Sequence, residues 1–477
     1  MKRSRSSPFP ILLSLAIVAA VPSGSALAED GDPAARLLRL ATSDPHGYDK
    51  LAYLTDRIGP RLSGSAGYDA AVRWAVEEFR RDGVDRVWTE KVLVPRWVRG
   101  TESASIVSPV VAPMATVALG MSPPTPPEGV TGEVVEVKSL EELEALGDKV
   151  RGKIVLFNRP VLPNGGAENG YGPAAALRHD GGTAAAKLGA IGALIRSLGT
   201  AAFRLPHTGM TEHQDGVAAV PYAAISQEDA DHVHRLLAAG ETVKVRMTLG
   251  CRFEPDVEQA NVAAELRGRE KPEEVVVIGC HLDSWDVGTG ATDDGAGCAI
   301  VMEAMRLVKA TGLRPRRTLR AVLFANEENG LRGGKAYAAA HEDELRLHVA
   351  AIEADSGGGR PKGFGVTAGE GGVDAVRKIA APLAAIGAAE IKPGGGGADI
   401  SPLRAARVPV LGLRQDTTHY FDYHHSAADT LDKVDPRALA ECAGAFAVVA
   451  FGLADADFTL PRPAPPEEPV PQPRTSR

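Results

Sequence analysis

Apolar and polar residues alternate with two different periods along this chain of 477 residues. Positions 68–81 carry apolar residues at helical spacing and predict a helix, whereas positions 87–98 have the composition of a strand. Between positions 253 and 457, apolar runs of strand length alternate with helical segments. This pattern is typical of a sheet that is covered by helices on both faces. We therefore predict an α/β fold with a mixed sheet sandwiched by helices.

The stretch 106–250 has a different texture and predicts a β-rich domain inserted into the α/β fold. One helical segment at 228–239 accompanies short β-rich runs, which lie between glycine- and proline-rich loops at 134–138, 153–157, 193–197, 219–226 and 242–249. The α/β catalytic domain would then be discontinuous, with residues 29–105 as its first part and residues 251–457 as its second. Prolines dominate the tail 458–477, for which we predict an extended, mobile chain.

The first 28 residues have the pattern of a cleavable secretory signal peptide. Three basic residues among the first five precede an apolar run at 9–21, and the sequence A-L-A follows at 26–28, which predicts cleavage after Ala28. The apolar run is short for a membrane anchor, and no later segment is expected to be apolar enough to span a membrane. The mature protein is therefore expected to be secreted or periplasmic.

Charge and cysteine spacing exclude two classes of function. The formal net charge is −8, and removal of the basic signal segment would make it more negative, so no nucleic-acid partner is expected. The cysteines lack C-x-x-C spacing, which excludes a thiolate metal site. In an oxidising compartment, the sequence leaves undecided whether a disulfide forms between any two of the cysteines Cys251, Cys280, Cys298 and Cys442.

Residues that can bind a metal ion follow four predicted strands and one glycine-rich turn. Ligands of open α/β sheets lie beyond the carboxyl ends of the strands, so these residues can meet in one crevice. In the turn at 290–297, two aspartates at the start of a helix favour a cation over a phosphate. Each residue alone is commonly structural, but five independent matches indicate a metal site. The predicted ligands are His281, Asp293, Glu328, Asp355 and His425.

Imidazole nitrogen and carboxylate oxygen are ligands that zinc accepts, and a bridging carboxylate reduces the repulsion between two neighbouring ions. We predict two zinc ions per chain. Asp293 would bridge them, with His281 and Asp355 on one ion and Glu328 and His425 on the other. Three carboxylates and one hydroxide would balance four positive charges, and that hydroxide would attack the substrate.

Three further acids are predicted to support this centre without binding metal. Glu327 precedes a ligand and is placed to take a proton from the attacking water and pass it to the leaving amine. Asp283 follows His281 by two residues and is expected to accept the second N–H of the imidazole, which fixes its tautomer. Asp429 is expected to shape the loop that carries the late histidine.

These motifs resemble those of the co-catalytic di-zinc aminopeptidases of peptidase family M28. The shared patterns are H-x-D, D-D-G-x-G, E-E, a strand-terminal aspartate and a late histidine before S-x-x-D-T, which begin here at positions 281, 293, 327, 355 and 425. The resemblance covers nearly the whole mature chain from position 59, and the segments that look closest to the carboxypeptidase Q group are 206–216, 281–297 and 420–430. It implies a metallopeptidase that hydrolyses dipeptides or N-terminal residues of short peptides, and a homodimer.

Some roles rest on the resemblance and keep alternatives open. Some relatives place a tyrosine before the last metal histidine to polarise the substrate carbonyl, whereas this chain has His424 there, with Tyr420 and Tyr423 as alternatives for this role. Tyr420 is also expected to contact substrate. Asp399 would receive a substrate ammonium group, unless its glycine-rich loop is a flexible surface segment. The stretch 106–250 resembles the protease-associated domain.

Two other classes of function stay open. A glutaminyl-cyclase-type acyltransferase has a similar fold but works with one zinc ion. A peptidase-like binding protein would keep the fold without catalysis. The five ligands together with Glu327 favour the peptidase over both.

Overall fold

The computed structural model describes residues 31–163 and 170–465, so the predicted signal peptide and the end of the tail lie outside the described residues. The strands are β1 Arg86–Val98, β2 Glu102–Ser108, β3 Ala112–Met114, β4 Thr116–Ala118, β5 Val130–Val137, β6 Ile154–Phe157, β7 Gly192–Arg196, β8 Tyr222–Ile225, β9 Lys244–Leu249, β10 Arg252–Leu266, β11 Lys271–His281, β12 Arg317–Phe324, β13 His348–Glu353, β14 Pro361–Thr367, β15 Glu390–Pro393 and β16 Val410–Gln415. The α-helices are α1 Pro33–Ser43, α2 Gly47–Tyr53, α3 Ala66–Arg81, α4 Leu140–Leu146, α5 Tyr171–Lys187, α6 Gln227–Ala238, α7 Ala296–Ala310, α8 Arg332–Ala340, α9 Gly372–Ala380, α10 Tyr420–Tyr423 and α11 Pro436–Asp455.

The first of two sheets has the strand order β1-β10-β12-β11-β13-β16-β14-β15. Its central strands β12, β11, β13 and β16 are parallel neighbours, so their carboxyl ends lie along one edge. Successive residues of β11 face different cores: Ile278 packs in the cluster that contains α7 and α11, whereas Val277 packs with Tyr337 of α8. The predicted mixed α/β fold is therefore confirmed for the described residues, because helices cover both faces of this sheet.

Helix α11 is the core helix of one face. It is long and apolar enough to cross a membrane, so the expectation that no later segment has this character was wrong. Within the structure, 89% of its most apolar window is buried. The helix is apolar nearly all round because it packs against α1, α7, α9 and the sheet at once.

The second sheet is built from residues 102–249 and has the order β3-β2-β9-β5-β6-β7-β8-β4. The chain leaves the first sheet after β1 and returns in β10, the antiparallel neighbour of β1. At this crossing a Cβ on Gly100 would lie 2.0 Å from the carbonyl oxygen of Gly250, so the two connections pass at a distance that only glycine allows. The identity of this unit as a protease-associated domain stays a prediction.

The start of the tail differs from the mobile chain that the sequence predicts. The guanidinium of Arg462 donates to the carbonyls of Ala406, Leu345 and His348, and the carbonyl of Pro463 accepts from Arg407. These contacts hold the chain against the α/β domain up to position 463. Proline content alone does not reveal them, because the donors and acceptors are distant in sequence.

The four cysteines are buried and free, so none of the disulfides left open by the sequence is formed in the structure. Cys280 at the end of β11 and Cys298 in α7 have their sulfur atoms 3.4 Å apart. Cys298 also donates to the carbonyl of His281 at 3.1 Å. Both thiols therefore pack beneath the edge of the sheet where the predicted ligands lie.

Arg61 fixes the loops beneath that edge from inside the protein. Its side chain is fully buried, and its guanidinium donates to the carbonyls of Leu282 at 2.8 Å, Thr289 at 2.6 Å and Gly290 at 2.9 Å. A buried carbonyl without a donor costs about 1–3 kcal/mol. This one side chain therefore ties the loop after β11 to the turn before α7.

We predict that Arg61→Met lowers the free energy of unfolding by about 3 kcal/mol, because it leaves the carbonyls of Leu282 and Thr289 without a donor and removes one of the two donors to that of Gly290. Urea unfolding followed by tryptophan fluorescence measures the change. The exposed Arg57, four residues earlier, provides the control variant Arg57→Met. Equal stability of the two variants would contradict the role of Arg61.

Candidate metal centre

The parallel strand ends and the turn before α7 bring the predicted metal ligands together. Strand β11 ends at His281, and the loops after β12 and β13 carry Glu328 and Asp355. The loop after β16 passes through α10 and presents His425, whose φ of 60° turns the chain sharply. Asp293 lies in the turn Ala291–Gly295. All five residues surround one point at the sheet edge.

Asp293 lies between two groups of nitrogen and oxygen atoms. Its Oδ1 is 3.1 Å from Nε2 of His281, which is 3.9 Å from Oδ1 of Asp355. Its Oδ2 is 3.1 Å from Nε2 of His425, which is 3.1 Å from Oε2 of Glu328. The two oxygens of one carboxylate thus face two different sets of ligand atoms, as a carboxylate that bridges two cations does.

Both histidines hold their second ring nitrogen against a main-chain carbonyl. Nδ1 of His281 is 3.1 Å from the carbonyl oxygen of Asp283, and Nδ1 of His425 is 3.3 Å from that of Thr208. A carbonyl only accepts, so Nδ1 carries a proton in each ring, and a cation that displaced the second proton from Nε2 would meet a lone pair there. Lone pairs directed at carboxylate oxygens suit a cation between them. Imidazole nitrogen with carboxylate oxygen is a donor set that fits zinc.

The charges of the cluster also favour a cation. Burial raises the pKa of Glu327 well above its usual value. The charge of His281 lowers this pKa, whereas the carboxylate of Asp355 raises it further. Burial lowers the pKa of His281, but its hydrogen bond to Asp293 and the nearby carboxylates outweigh burial and raise it well above the ordinary value. Burial would raise the pKa of Asp293, yet His281 and His425 hold it well below its usual range. The centre therefore attracts positive charge.

The carboxylate of Asp283 does not do what the sequence predicts. Its Oδ1 is 3.8 Å from Nδ1 of His281, too far for a hydrogen bond, and the main-chain carbonyl of Asp283 takes that place. Instead the carboxylate accepts the main-chain N–H groups of Glu327 at 3.1 Å and Glu328 at 3.3 Å. It also accepts the hydroxyl of Ser63 at 3.2 Å. Asp283 therefore orients the turn that carries the two glutamates.

Asp429 holds the turn that carries Asp293. Its carboxylate accepts the N–H of Thr292 at 2.7 Å, the hydroxyl of Thr292 at 2.8 Å and the N–H of Asp293 at 3.1 Å. Burial raises the pKa of Asp429 to about 7. The next peptide bond, between Asp293 and Asp294, is cis. The side chain of Asp294 turns away from Asp293 and accepts the N–H of His281 at 3.1 Å.

A cavity of about 420 Å³ opens beside the cluster, and Glu327 lines it together with the cluster residues. Glu327 is half-buried, and its carboxylate forms no hydrogen bond with any residue that the structure describes. Its position is fixed through its main chain by Asp283. A carboxylate that is held in place but has no partner is available for proton transfer.

His424 also lines the cavity, with its ring stacked on His425 at a centroid distance of 3.7 Å. Its Nε2 is 3.3 Å from Oη of Tyr171 and 3.6 Å from Oδ2 of Asp293. Burial lowers the pKa of His424 well below its usual value, and the charge of His425 lowers it further. The ring is therefore neutral, and its Nδ1 is buried without a hydrogen-bond partner among the described residues.

The other predicted substrate residues differ in their access to this cavity. Tyr420 lines it, with its ring centroid 4.9 Å from that of His424. Tyr423 does not line it and lies instead beside Lys433, whose Nζ is 5.4 Å from the ring centroid. Asp399 is 1% exposed and does not line the cavity, so a substrate ammonium group does not reach it in this structure. Neither carboxylate oxygen of Asp399 has a hydrogen-bond partner among the described residues.

Five residues of this cavity come from the second sheet's domain, and the two of them that contact the late histidines were missed from the sequence. Helix α5 carries Tyr171, which contacts His424, and Arg178, whose Nη1 is 3.3 Å from Nδ1 of His425. No motif marks them, because α5 is rich in alanine and glycine and an arginine there is typical of a solvent-exposed helix face. Their separation of more than 240 positions from the late histidines hides the contact.

Comparisons with known proteins agree with this geometry. A family model described as peptidase family M28 matches residues 261–450. Human carboxypeptidase Q is 38% identical over 439 residues, which cover 91% of this chain and 92% of that protein. Mouse carboxypeptidase Q is 39% identical over 415 residues, 87% of each chain.

A solved structure supports the relationship over the same length. The peptidase M28 precursor from Shewanella amazonensis SB2B is 41% identical and superposes with a TM-score of 0.87, over 91% of this chain and 98% of that one. The expected resemblance is therefore confirmed. The chain belongs to peptidase family M28 and is a metallopeptidase related to carboxypeptidase Q.

Proposed function

We propose that this protein is an exported exopeptidase that uses two zinc ions to hydrolyse dipeptides or to remove N-terminal residues from short peptides. The observation that carries the proposal is Asp293, whose two oxygens face different histidines at 3.1 Å each. Export rests on the signal-peptide pattern of the first 28 residues. The homodimer and the protease-associated identity of the inserted domain stay predictions.

The names of the relatives point to a small substrate. Carboxypeptidase Q is named for cleavage at a carboxyl terminus, whereas a Bacillus subtilis structure that shares the fold is titled a zinc aminopeptidase. A dipeptide satisfies both descriptions, because its one peptide bond follows the first residue and precedes the last. Dipeptides are therefore the simplest substrate class for this site.

We assign the ligands of the two ions from the geometry of the cluster. His281 and Asp355 would hold one ion, Glu328 and His425 the other, and Asp293 would bind both. Zinc supplies a Lewis acid that polarises the substrate carbonyl and lowers the pKa of a water molecule to about 7. The main-chain carbonyls behind the two histidines fix the tautomers that this binding requires.

Glu327 and His424 then act directly on the reacting atoms. The carboxylate of Glu327 takes a proton from the attacking water and delivers it to the leaving amine, which it is free to do because no described residue forms a hydrogen bond with it. Neutral His424 donates a hydrogen bond to the carbonyl oxygen as negative charge develops there. Tyr420 packs against this ring and shapes the same wall.

Two carboxylates that line the cavity without being assigned to a metal suit a substrate with a free amino terminus. Glu212 and Glu327 keep their negative charge after the zinc ions balance the ligand carboxylates, and a terminal ammonium group is attracted to that charge. A substrate with a blocked amino terminus loses this attraction. We therefore expect the zinc-loaded protein to hydrolyse dipeptides with free ends and to leave their N-acetyl forms intact.

A panel of peptides with free and acetylated amino termini, assayed with and without a chelator, tests the function. Equal hydrolysis of both forms would show an enzyme that does not recognise the amino terminus. Conversion of N-terminal glutamine peptides to pyroglutamate without hydrolysis would favour the cyclase class.

The assignment of Glu327 predicts that Glu327→Gln lowers kcat by about 10²–10⁴-fold, the usual contribution of a general base. Zinc content should not change, because this side chain is not assigned to a metal. The exposed Glu342 provides the control variant Glu342→Gln. Near-normal turnover by Glu327→Gln would refute the role.

The role of Asp429 predicts that Asp429→Asn weakens zinc binding about 10–100-fold, as the loss of a group that orients a ligand does. An amide N–H₂ would then face a main-chain N–H of the turn, and the turn would lose its fixed position. Competition with a chromophoric chelator measures the affinity. Asp432→Asn changes an exposed side chain three positions later and should have no effect.

A further inference from the structure

Arg178 is a buried cation for which the described part of the protein provides no anion. Its side chain is 5% exposed, and no described carboxylate forms an ion pair with it. Buried charges are normally paired, because an isolated charge is costly to remove from water. The cavity that Arg178 lines is the one beside the metal centre. The missing anion is therefore expected from a molecule that enters this cavity.

One edge of the guanidinium is occupied and the other is not. Nη1 donates to Oη of Tyr171 at 3.2 Å and to the carbonyl oxygen of Thr208 at 3.3 Å, and it lies 3.3 Å from Nδ1 of His425, whose own proton prevents it from accepting another. Nε is buried without a hydrogen-bond partner, and Nη2 has none among the described residues. Nε and Nη2 together form a fork that matches the two oxygens of a carboxylate.

The position of the guanidinium is fixed by its surroundings. Gly209 adopts a φ of 137°, and a Cβ at this position would lie 2.4 Å from Cζ of Arg178. Only glycine therefore leaves room for the guanidinium here. The hydrogen bonds from Nη1 to Tyr171 and to the carbonyl of Thr208 fix its orientation from the other side. A group held in this way loses little freedom when it binds a ligand.

The distance from the metal centre sets the length of substrate that can reach this fork. Nη1 is one imidazole ring away from the cluster, since Nδ1 of His425 faces Arg178 and Nε2 faces Asp293. One residue of an extended peptide spans about 3.3–3.6 Å. A terminal carboxylate that lies one residue after the scissile bond is therefore expected near Arg178. A terminal carboxylate that lies two residues after the scissile bond is expected beyond the reach of Arg178.

Given the peptidase function proposed above, we infer that Arg178 binds the terminal carboxylate of the substrate and so restricts efficient hydrolysis to peptides with one residue after the scissile bond. The inserted domain thereby sets the specificity of a metal centre that lies in the other domain. Lys335 also lines the cavity, but it is exposed and its Nζ donates to the carbonyl of Gly330 at 3.0 Å. It is the matched cation for comparison.

The test compares kcat/KM of the zinc-loaded protein for a dipeptide, the same dipeptide as its C-terminal amide, and a tripeptide. The wild-type protein should prefer the free dipeptide to the amide by about 10–100-fold, the fold-change of a hydrogen bond to a charged group. Arg178→Met should abolish this preference by slowing hydrolysis of the free dipeptide only. Arg178→Lys, which keeps the charge without the fork, should restore part of it. Lys335→Gln should leave the preference intact.

A binding measurement separates recognition from turnover. In the Glu327→Gln protein, calorimetry should show weaker binding of the free dipeptide after Arg178→Met, with no change for the amide. Equal loss on both peptides would overturn the inference and favour a role on the developing oxyanion or in folding. A wild-type protein that cleaves amide and acid equally would overturn it while leaving the peptidase proposal standing. Failure to cleave any peptide would refute both.

Discussion

The concentration of negative charge around Asp293 is the constraint on which the rest of the structure depends. Asp293, Glu328 and Asp355 meet at the edge of the sheet beside the further carboxylate of Glu327, and two histidines, His281 and His425, offset them at 3.1 Å. Carboxylates at these distances repel one another strongly in a buried site. The arrangement is favourable when cations lie between the oxygens, and the direction of each Nε2 lone pair is consistent with this.

The surrounding protein holds this unfavourable arrangement mainly through its main chain. Arg61 donates to three carbonyls of two loops, Asp283 accepts two N–H groups of the glutamate turn, and Asp429 accepts two of the aspartate turn. None of these side chains is assigned to a metal. They fix the loops so that the ligand atoms remain close without a flexible backbone to relieve the repulsion. The parallel strands supply the common edge from which all the loops start.

The periodicity of apolar residues predicted the strands and helices whose formation depends on neighbouring residues in the sequence. The strands that end near His281, Glu328 and Asp355 are short apolar runs followed by polar residues, and the parallel sheet places their ends together. Helix α3, which ends at Arg81, and the strands of the inserted domain were likewise predicted from the spacing of their apolar residues. The role of Asp283 could not be predicted in this way, because its carboxylate and its main-chain carbonyl can both accept the same N–H of His281.

Contacts between distant segments were outside the reach of sequence patterns. Arg178 and Tyr171 lie in a helix without a motif, and only the folding of the inserted domain over the sheet edge brings them to the late histidines. Burial of Asp399 and the packing of the tail at Arg462 depend on the same long-range placement. Length and composition likewise do not distinguish α11, a core helix, from a membrane span.

Equilibrium dialysis against zinc, followed by elemental analysis of the protein, tests most directly whether the carboxylate of Asp293 binds two zinc ions. About two zinc ions per chain are predicted for the wild-type protein, and about one for His425→Ala, which removes a ligand from one side of the bridge only. A wild-type stoichiometry of one ion per chain, unchanged by His425→Ala, would contradict the paired centre.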